Sequence, residues 1–151
     1  MIIVGYQGIG KSTLAGKNNV IDLESGNFWN NGVRPDDWYI YYCQIAEHLS
    51  QQGYIVFTSS HEVVRNRLKE YSKEKVYTIY PSLKLHDAWI EKLRDRYNNS
   101  KLEKDYKALM NAEDRYYQNI EELKNSGIEV FEIEDMNYRL GDMVDYLSLI
   151  S

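Results

Sequence analysis

The sequence predicts an α/β fold: about five parallel strands, helices on both faces of the sheet, and a short helical hairpin as a lid. Three observations predict it. Short β-branched or aromatic runs alternate with amphipathic stretches along the whole chain. One of them, Tyr54-Ile55-Val56-Phe57-Thr58, is nearly continuously apolar, as in a strand covered on both faces of a parallel sheet. The first, Ile2-Ile3-Val4, passes directly into Gly5-Tyr6-Gln7-Gly8-Ile9-Gly10-Lys11-Ser12, which matches GxxxxGKS at every fixed position.

Taken in order, the loop after the first strand leads into a brief helix from about Lys11 to Gly16, with Leu14 and Ala15 as helix formers. Val20-Ile21-Asp22-Leu23 is a second strand with carboxylates at its end. Between Pro35 and Gln52, Trp38, Tyr41, Tyr42, Ile45 and Leu49 recur at helical spacing, with Gly53 just past the end. Tyr54 to Thr58 is the third strand. Ser59 followed by Glu62 has the form of a capping box, opening a helix through about Tyr71 with Val64 and Leu68 inward.

Val76 to Tyr80 is the fourth strand, stopped by Pro81. Ser82 can cap a helix with Leu85, Trp89, Leu93 and Tyr97 on one stripe, which Asn98-Asn99-Ser100 interrupts. A long helix from about Leu102 to Asn125 ends at Gly127, Ile128 to Ile133 is the fifth strand, and Leu140, Met143, Val144 and Leu147 mark a closing helix. The alternation implies right-handed crossovers, and no repeat or linker breaks it, so one domain over residues 1–151 is expected.

The 18 basic and 23 acidic residues give a formal net charge of -5, so no basic field exists to hold a nucleic-acid backbone or an anionic membrane. A small-molecule partner is expected instead, with no nucleic acid and no membrane, and the chain as a monomer or homodimer. Cys43 is the only cysteine, which excludes an intrachain disulfide and a multi-cysteine metal site, and its apolar helical setting indicates packing. With no cationic leader and no run near the ~20 apolar residues of a membrane span, a cytoplasmic location is expected. The 14 tyrosines recur mostly in helices beside charged residues and read as amphipathic packing.

The chemistry concentrates in the first loop. Gly5, Gly8 and Gly10 let successive backbone N–H groups approach phosphate oxygens, Ile9 and Thr13 complete the binding loop, and Lys11 reaches the β- and γ-phosphates. Ser12 suits a Mg²⁺ ligand, and the helix starting there points its positive end at the anion. In an open parallel sheet ligands gather beyond the carboxyl ends of the strands, so the other strand-end loops belong to the same site. Asp22 can hold a water on Mg²⁺ or accept a proton from an attacking hydroxyl, or it can cap the turn through Ser25 and Gly26. At Thr58-Ser59-Ser60-His61 no acidic Walker B residue is present. Ser59 either contacts a metal-bound water or substrate, or caps a helix, and His61, His86 and His48 read as surface residues.

Lys92, Arg94, Arg96 and Lys101 form a cationic stretch that can close over a nucleotide. With Glu91 and Asp95 interleaved it also fits a solvated face. In Asn27 to Arg34, Phe28 and Trp29 can stack on a base and Arg34 can bind an acceptor phosphate, or the two aromatics can anchor the loop to the core.

With these residues in hand, the chain resembles the P-loop small-molecule kinases of the nucleoside monophosphate kinase, gluconate kinase and shikimate kinase group. The resemblance runs the whole length in element order, with the phosphate loop as its specific motif. It implies a three-layer P-loop NTPase fold and Mg²⁺- and ATP-dependent phosphoryl transfer. Asp22 matches the group's acidic residue after the second strand, and Lys92, Arg94 and Arg96 loosely match its lid arginines. Lys11, Asp22, Arg94 and Arg96 are then the expected catalytic set, with Arg115 as a further phosphate contact. The run Ile55 to Ser60 looks more like the hydroxyl-rich strand end of gluconate and shikimate kinases than the aspartate-bearing one of adenylate kinases.

No NKxD sequence is present and the Asp22 loop lacks DxxG spacing, so ATP is expected over GTP. A nucleotide or nucleoside is the expected acceptor, contacted by Asp22, Phe28, Trp29, Arg34 and Ser59. A sugar acid or other hydroxylated metabolite is the alternative. The missing Walker B acid also fits a non-kinase ATP-binding regulatory module.

Overall fold

In the computed structural model, which describes residues 1–17 and 19–151, the β-rich runs pair as one five-stranded, all-parallel sheet. Its strands are β1 (Ile2–Gly5), β2 (Val20–Asp22), β3 (Ile55–Thr58), β4 (Val76–Pro81) and β5 (Glu129–Ile133), in the order β2-β3-β1-β4-β5. The helices are α1 (Lys11–Leu14), α2 (Trp38–Gln51), α3 (Glu62–Tyr71), α4 (His86–Ser100), α5 (Glu103–Lys124) and α6 (Leu140–Ile150). Ile2, Ile3 and Val4 of the central strand are all fully buried, although neighbouring side chains point to opposite faces. Both faces of the sheet are therefore covered.

The strand order explains the layering. The step from β1 to β2 runs one way across the sheet, and every later step runs the other way, passing β1 between β3 and β4. Right-handed crossovers then put α1 on one face and α2, α3 and the α4–α5 hairpin on the other. α6 packs beside α1, with Gly141 facing Leu14, while α2 packs on α3 and α4 on α5. The direction reverses at β1, so the carboxyl end of that strand opens into a crevice.

Several local expectations need correction. α1 is a single turn, because Ala15 leaves helical space at ψ 137 and Gly16 (φ 80) sends the chain back to β2 through a hydrogen bond from its N–H to the Val20 carbonyl. So short a helix aligns few peptide dipoles, and the loop's attraction for an anion falls to its own N–H groups and Lys11. α2 begins at Trp38 rather than Pro35, and it buries Trp38, Tyr42, Cys43, Ala46 and Ser50 while Tyr41 and Ile45 stay exposed. The Ser59–Glu62 capping box does not form: His61 is the N-cap of α3, and the Ser59 hydroxyl lies 2.8 Å from His61 Nδ1.

Ser82 makes no side-chain cap either, and a 3-10 turn, Leu83–Leu85, precedes α4. α4 also runs straight through Asn98-Asn99-Ser100. The break falls at Lys101, in the left-handed region at φ 57, where the Ser100 hydroxyl accepts from the Leu102 N–H and donates to the buried Asp105 carboxylate. Two asparagines cost a helix only about 0.5 kcal/mol each, less than packing along the hairpin returns. Among the described residues no helix is long and apolar enough to cross a membrane.

Candidate functional site

Glycine sets the loop's shape. Gly8 (φ 86) and Gly10 (φ 107) occupy the left-handed region, where a side chain is strained, and a Cβ at Gly8 would lie 2.9 Å from Leu93 Cδ2 and 3.2 Å from Trp89 Nε1. The Tyr6 N–H donates to the Ile79 carbonyl (3.0 Å), and the Thr13 N–H donates to the Gly10 carbonyl (3.1 Å). Between them, none of the backbone N–H groups from Gln7 to Ser12 has an acceptor among the described residues, although Gly8 and Ile9 are buried. Backbone donors are normally paired, and a run of free ones around left-handed residues has the geometry that suits an anion.

Lys11 and Asp22 both line the crevice, close enough to act on each other electrostatically. Lys11 is half-buried, and among the described residues no carboxylate lies within 4.0 Å of its ammonium. Burial pushes its pKa below the usual lysine value, partly offset by Asp22 and Glu24. Burial likewise raises the Asp22 carboxyl, with Lys11 opposing the shift. Asp22 does not cap the following turn: Ser25–Phe28 is a 3-10 turn entered from Glu24 with no side-chain cap.

A cavity of about 570 Å³ opens beyond the carboxyl ends of β1, β2 and β3. Gly5, Gly8, Lys11, Asp22, Ser59 and Arg96 line it, so it brings together five of the sequence-derived glycine, lysine, acid and hydroxyl positions and one lid arginine. Ile9, Gly10, Ser12 and Thr13 continue the loop just outside this lining. At the β3 end, the Ser59 N–H donates to Tyr42 Oη (2.8 Å), whose hydroxyl donates to the Leu23 carbonyl (2.6 Å), which ties the ends of β2 and β3 together. His61 also lines the cavity, with its ring edge-on to Trp38 at 5.4 Å.

The other candidates go elsewhere. Arg94 pairs with Glu91 (2.9 Å) and Glu113 (3.0 Å) away from the cavity, and Arg115 is exposed with its nearest acid, Glu122, 3.5 Å away. Phe28 packs on Tyr42 (5.6 Å) and Trp38 (6.0 Å), which makes it a core anchor. Arg34 stacks its guanidinium 3.9 Å from the Trp38 ring and 4.8 Å from that of Trp29, and neither Arg34 nor Trp29 lines the cavity.

Sequence reasoning missed other groups at the site. Arg96 Nε donates to Asp105 Oδ1 at 3.0 Å, and Lys104 joins it on the wall. Gln7 donates to the Ala108 carbonyl (3.0 Å) and to Asn111 Oδ1 (3.1 Å), which also accepts from Asn119 (2.8 Å). That amide chain spans the place where α5 departs from helical geometry at Arg115 (φ -136, ψ 18). A serine and an acid flanking the chain reversal after α4 were the only sequence signals for the Ser100–Asp105–Arg96 contact.

Next to the loop, Ser12 offers a hydroxyl and Asp22 and Glu24 offer carboxylates to a cation, and the described residues hold no cluster of three or more His, Cys, Asp or Glu suited to a metal. So sparse a donor set fits Mg²⁺, which keeps several waters and takes oxygens from bound phosphates. No protein-family model matches the sequence, and no curated protein matches it. The functional reading therefore rests on the residues and their geometry.

Proposed function

We propose that the chain is an ATP- and Mg²⁺-dependent phosphotransferase of the P-loop kinase type, acting on a hydroxyl of a small acceptor. One observation carries the reading: the N–H groups from Gln7 to Ser12 and the Lys11 ammonium, without hydrogen-bond or carboxylate partners among the described residues, border a cavity that Asp22 also lines. In this reading the loop and Lys11 hold the β- and γ-phosphates, and Arg96 adds positive charge where negative charge spreads over the equatorial oxygens. Ser12 and, through a water, Asp22 would hold Mg²⁺, which would supply neutralising charge to the phosphates. The acceptor oxygen bonds to the γ-phosphorus as the bridging bond to ADP breaks, and Asp22 takes the hydroxyl proton. Its raised pKa makes it a stronger base than an exposed aspartate.

A nucleotide or nucleoside acceptor is the class expected from the sequence. A specific observation favours the second class, a sugar acid or other hydroxylated metabolite. Phe28, Trp29 and Arg34 are occupied with one another and with Trp38, and no Phe, Tyr or Trp lines the cavity. A base would find only the His61 imidazole there to stack on. Incubating nucleosides, nucleoside monophosphates, polyols and hydroxy acids with Mg·ATP and following ³¹P resonances tests both. The expected outcome is a new phosphate-ester signal with one acceptor class, absent with Lys11→Ala. ADP release no greater than that of Lys11→Ala across the whole panel would overturn the kinase reading.

A further inference from the structure

We propose that Trp89 and Tyr138 are positioning residues that hold the phosphate loop open for an anion, an inference that rests on the reading of Gly5 to Ser12 as a polyphosphate site. Trp89 is fully buried on α4, and its indole N–H donates to the Gln7 carbonyl at 3.0 Å. Tyr138, between β5 and α6, donates its hydroxyl to the Ile9 carbonyl at 2.7 Å. In a trans peptide the C=O of one residue and the N–H of the next point in opposite directions within one rigid plane. Drawing the Gln7 carbonyl toward Trp89 therefore aims the Gly8 N–H the other way, and drawing the Ile9 carbonyl toward Tyr138 does the same for the Gly10 N–H. Gly8 lines the cavity, while Trp89 and Tyr138 do not.

Those two peptides need such a restraint. Each leads into a left-handed glycine, and glycine gives up more backbone freedom on ordering than any other residue. Without the two bonds, that ordering would be charged against phosphate binding. Lys92 completes the device. Its ammonium donates to Tyr138 Oη at 2.8 Å and lies 4.4 Å from the Trp89 ring centre and 4.9 Å from that of Tyr138, the two rings being stacked at 5.9 Å with 23° between their planes. A cation donating to the phenol oxygen polarises the O–H and strengthens its bond to the Ile9 carbonyl. Lys92, expected from the sequence as part of a lid, is here a buttress behind the loop.

A restraint on the loop acts on phosphate and is blind to the base. The test is calorimetric titration of the full chain with Mg·tripolyphosphate and with Mg·ATP, alongside thermal melts, for Trp89→Phe, Tyr138→Phe and the double variant. Tyr77→Phe, which loses a hydroxyl contact to Ser151 remote from the loop, is the control. Each single loop variant is expected to weaken both ligands about fivefold, the size of one neutral hydrogen bond, and Tyr77→Phe to leave both affinities unchanged. Lys92→Met keeps both donors, perturbs the core least, and is expected to cost about twofold through the lost polarisation.

Unchanged affinities in Trp89→Phe and Tyr138→Phe with lowered melting temperatures would make the contacts structural only and overturn the proposal, leaving the kinase reading intact. A loss confined to ATP would overturn it as well, since that would be a contact to the base. No binding of either ligand by the unaltered protein would overturn both the proposal and the reading beneath it.

Discussion

Two strand-end segments of this molecule look alike in sequence and differ in their bonding. Gln7 to Ser12 follows β1, and Asn27 to Arg34 follows β2. Each contains glycine, a cation and residues suited to holding a nucleotide. In the second segment the aromatic and cationic side chains are occupied locally. Asn30 and Val33 exchange backbone hydrogen bonds (2.7 and 3.0 Å) across a tight turn at Asn31 (φ 52) and Gly32 (φ 77), and Arg34 lies between two indoles. In the first segment, among the described residues, the backbone donors have no acceptor and the lysine has no carboxylate partner. Residue type nominated both, and what separates them is that the first holds buried backbone donors with no acceptor among the described residues, beside a cavity.

The sharpest way to break this contrast is to remove the loop's charge. Lys11→Ala is expected to weaken Mg·ATP by about ten- to hundredfold, the size of hydrogen bonds to charged groups, in a calorimetric titration. Asp22→Asn should behave differently. Phosphoryl transfer falls by about 10²- to 10⁴-fold as the base is lost, while Mg·ATP affinity changes much less.

The same substitution should stabilise the ligand-free fold. Because the folded Asp22 carboxyl titrates above its ordinary 3.8, the folded state binds more protons than the unfolded state between those two values. The ionised carboxylate thus costs stability that is absent below pH 3.8, grows as pH rises through the folded value, and persists at neutral pH. Thermal melts from pH 3.5 to 7 should show the Asn variant gaining on the parent over that window. An equal or lower melting temperature for the variant at pH 7 would show that Asp22 is a structural cap after all.

Arg34→Ala probes the satisfied segment. Losing the stack between Trp29 and Trp38 is expected to cost stability by about 1 kcal/mol, typical of a partly exposed cation–π contact, read from denaturant midpoints. Mg·ATP affinity should stay within about twofold, because one contact in a segment away from the loop adds little to phosphate binding.

The legible part of the molecule was whatever lies in local periodicity. The alternation of strands and helices, the β3 run and the GxxxxGKS loop each sit in a short window, and the five strands form where that pattern puts them. What was hidden depends on partners far along the chain. Tyr41 and Ile45 are as apolar as Tyr42, and only the placement of α2 against the sheet decides which face is buried. Trp89 read correctly as a core residue, yet no spacing rule shows its N–H reaching Gln7, or the Tyr138 hydroxyl reaching Ile9. The stop after α4 was misplaced because asparagine weakens a helix without ending one, whereas the left-handed Lys101 ends it.

The smallest expected effect tests the contrast at the cationic hairpin. Arg94 and Arg96 are two residues apart on α4 and so project from different sides of the helix. Arg96 is held by a buried aspartate on the cavity wall, whereas Arg94 lies off that wall and is already bound to Glu91 and Glu113. Exposed pairs contribute little to stability, and a guanidinium saturated by two carboxylates has little left to offer a phosphate. Arg94→Gln should therefore leave both melting temperature and turnover within about twofold of the parent. Arg96→Gln should lower turnover by about tenfold or more, as expected when one charged contact to the reacting phosphate is removed. If steady-state assays found the two variants equally impaired, the hairpin would have to rotate when ligand binds, exchanging Arg94's acidic partners for phosphate. Present bonding would then no longer identify the binding residues there, and the rule drawn from the two strand-end segments would hold only for the rigid half of the site.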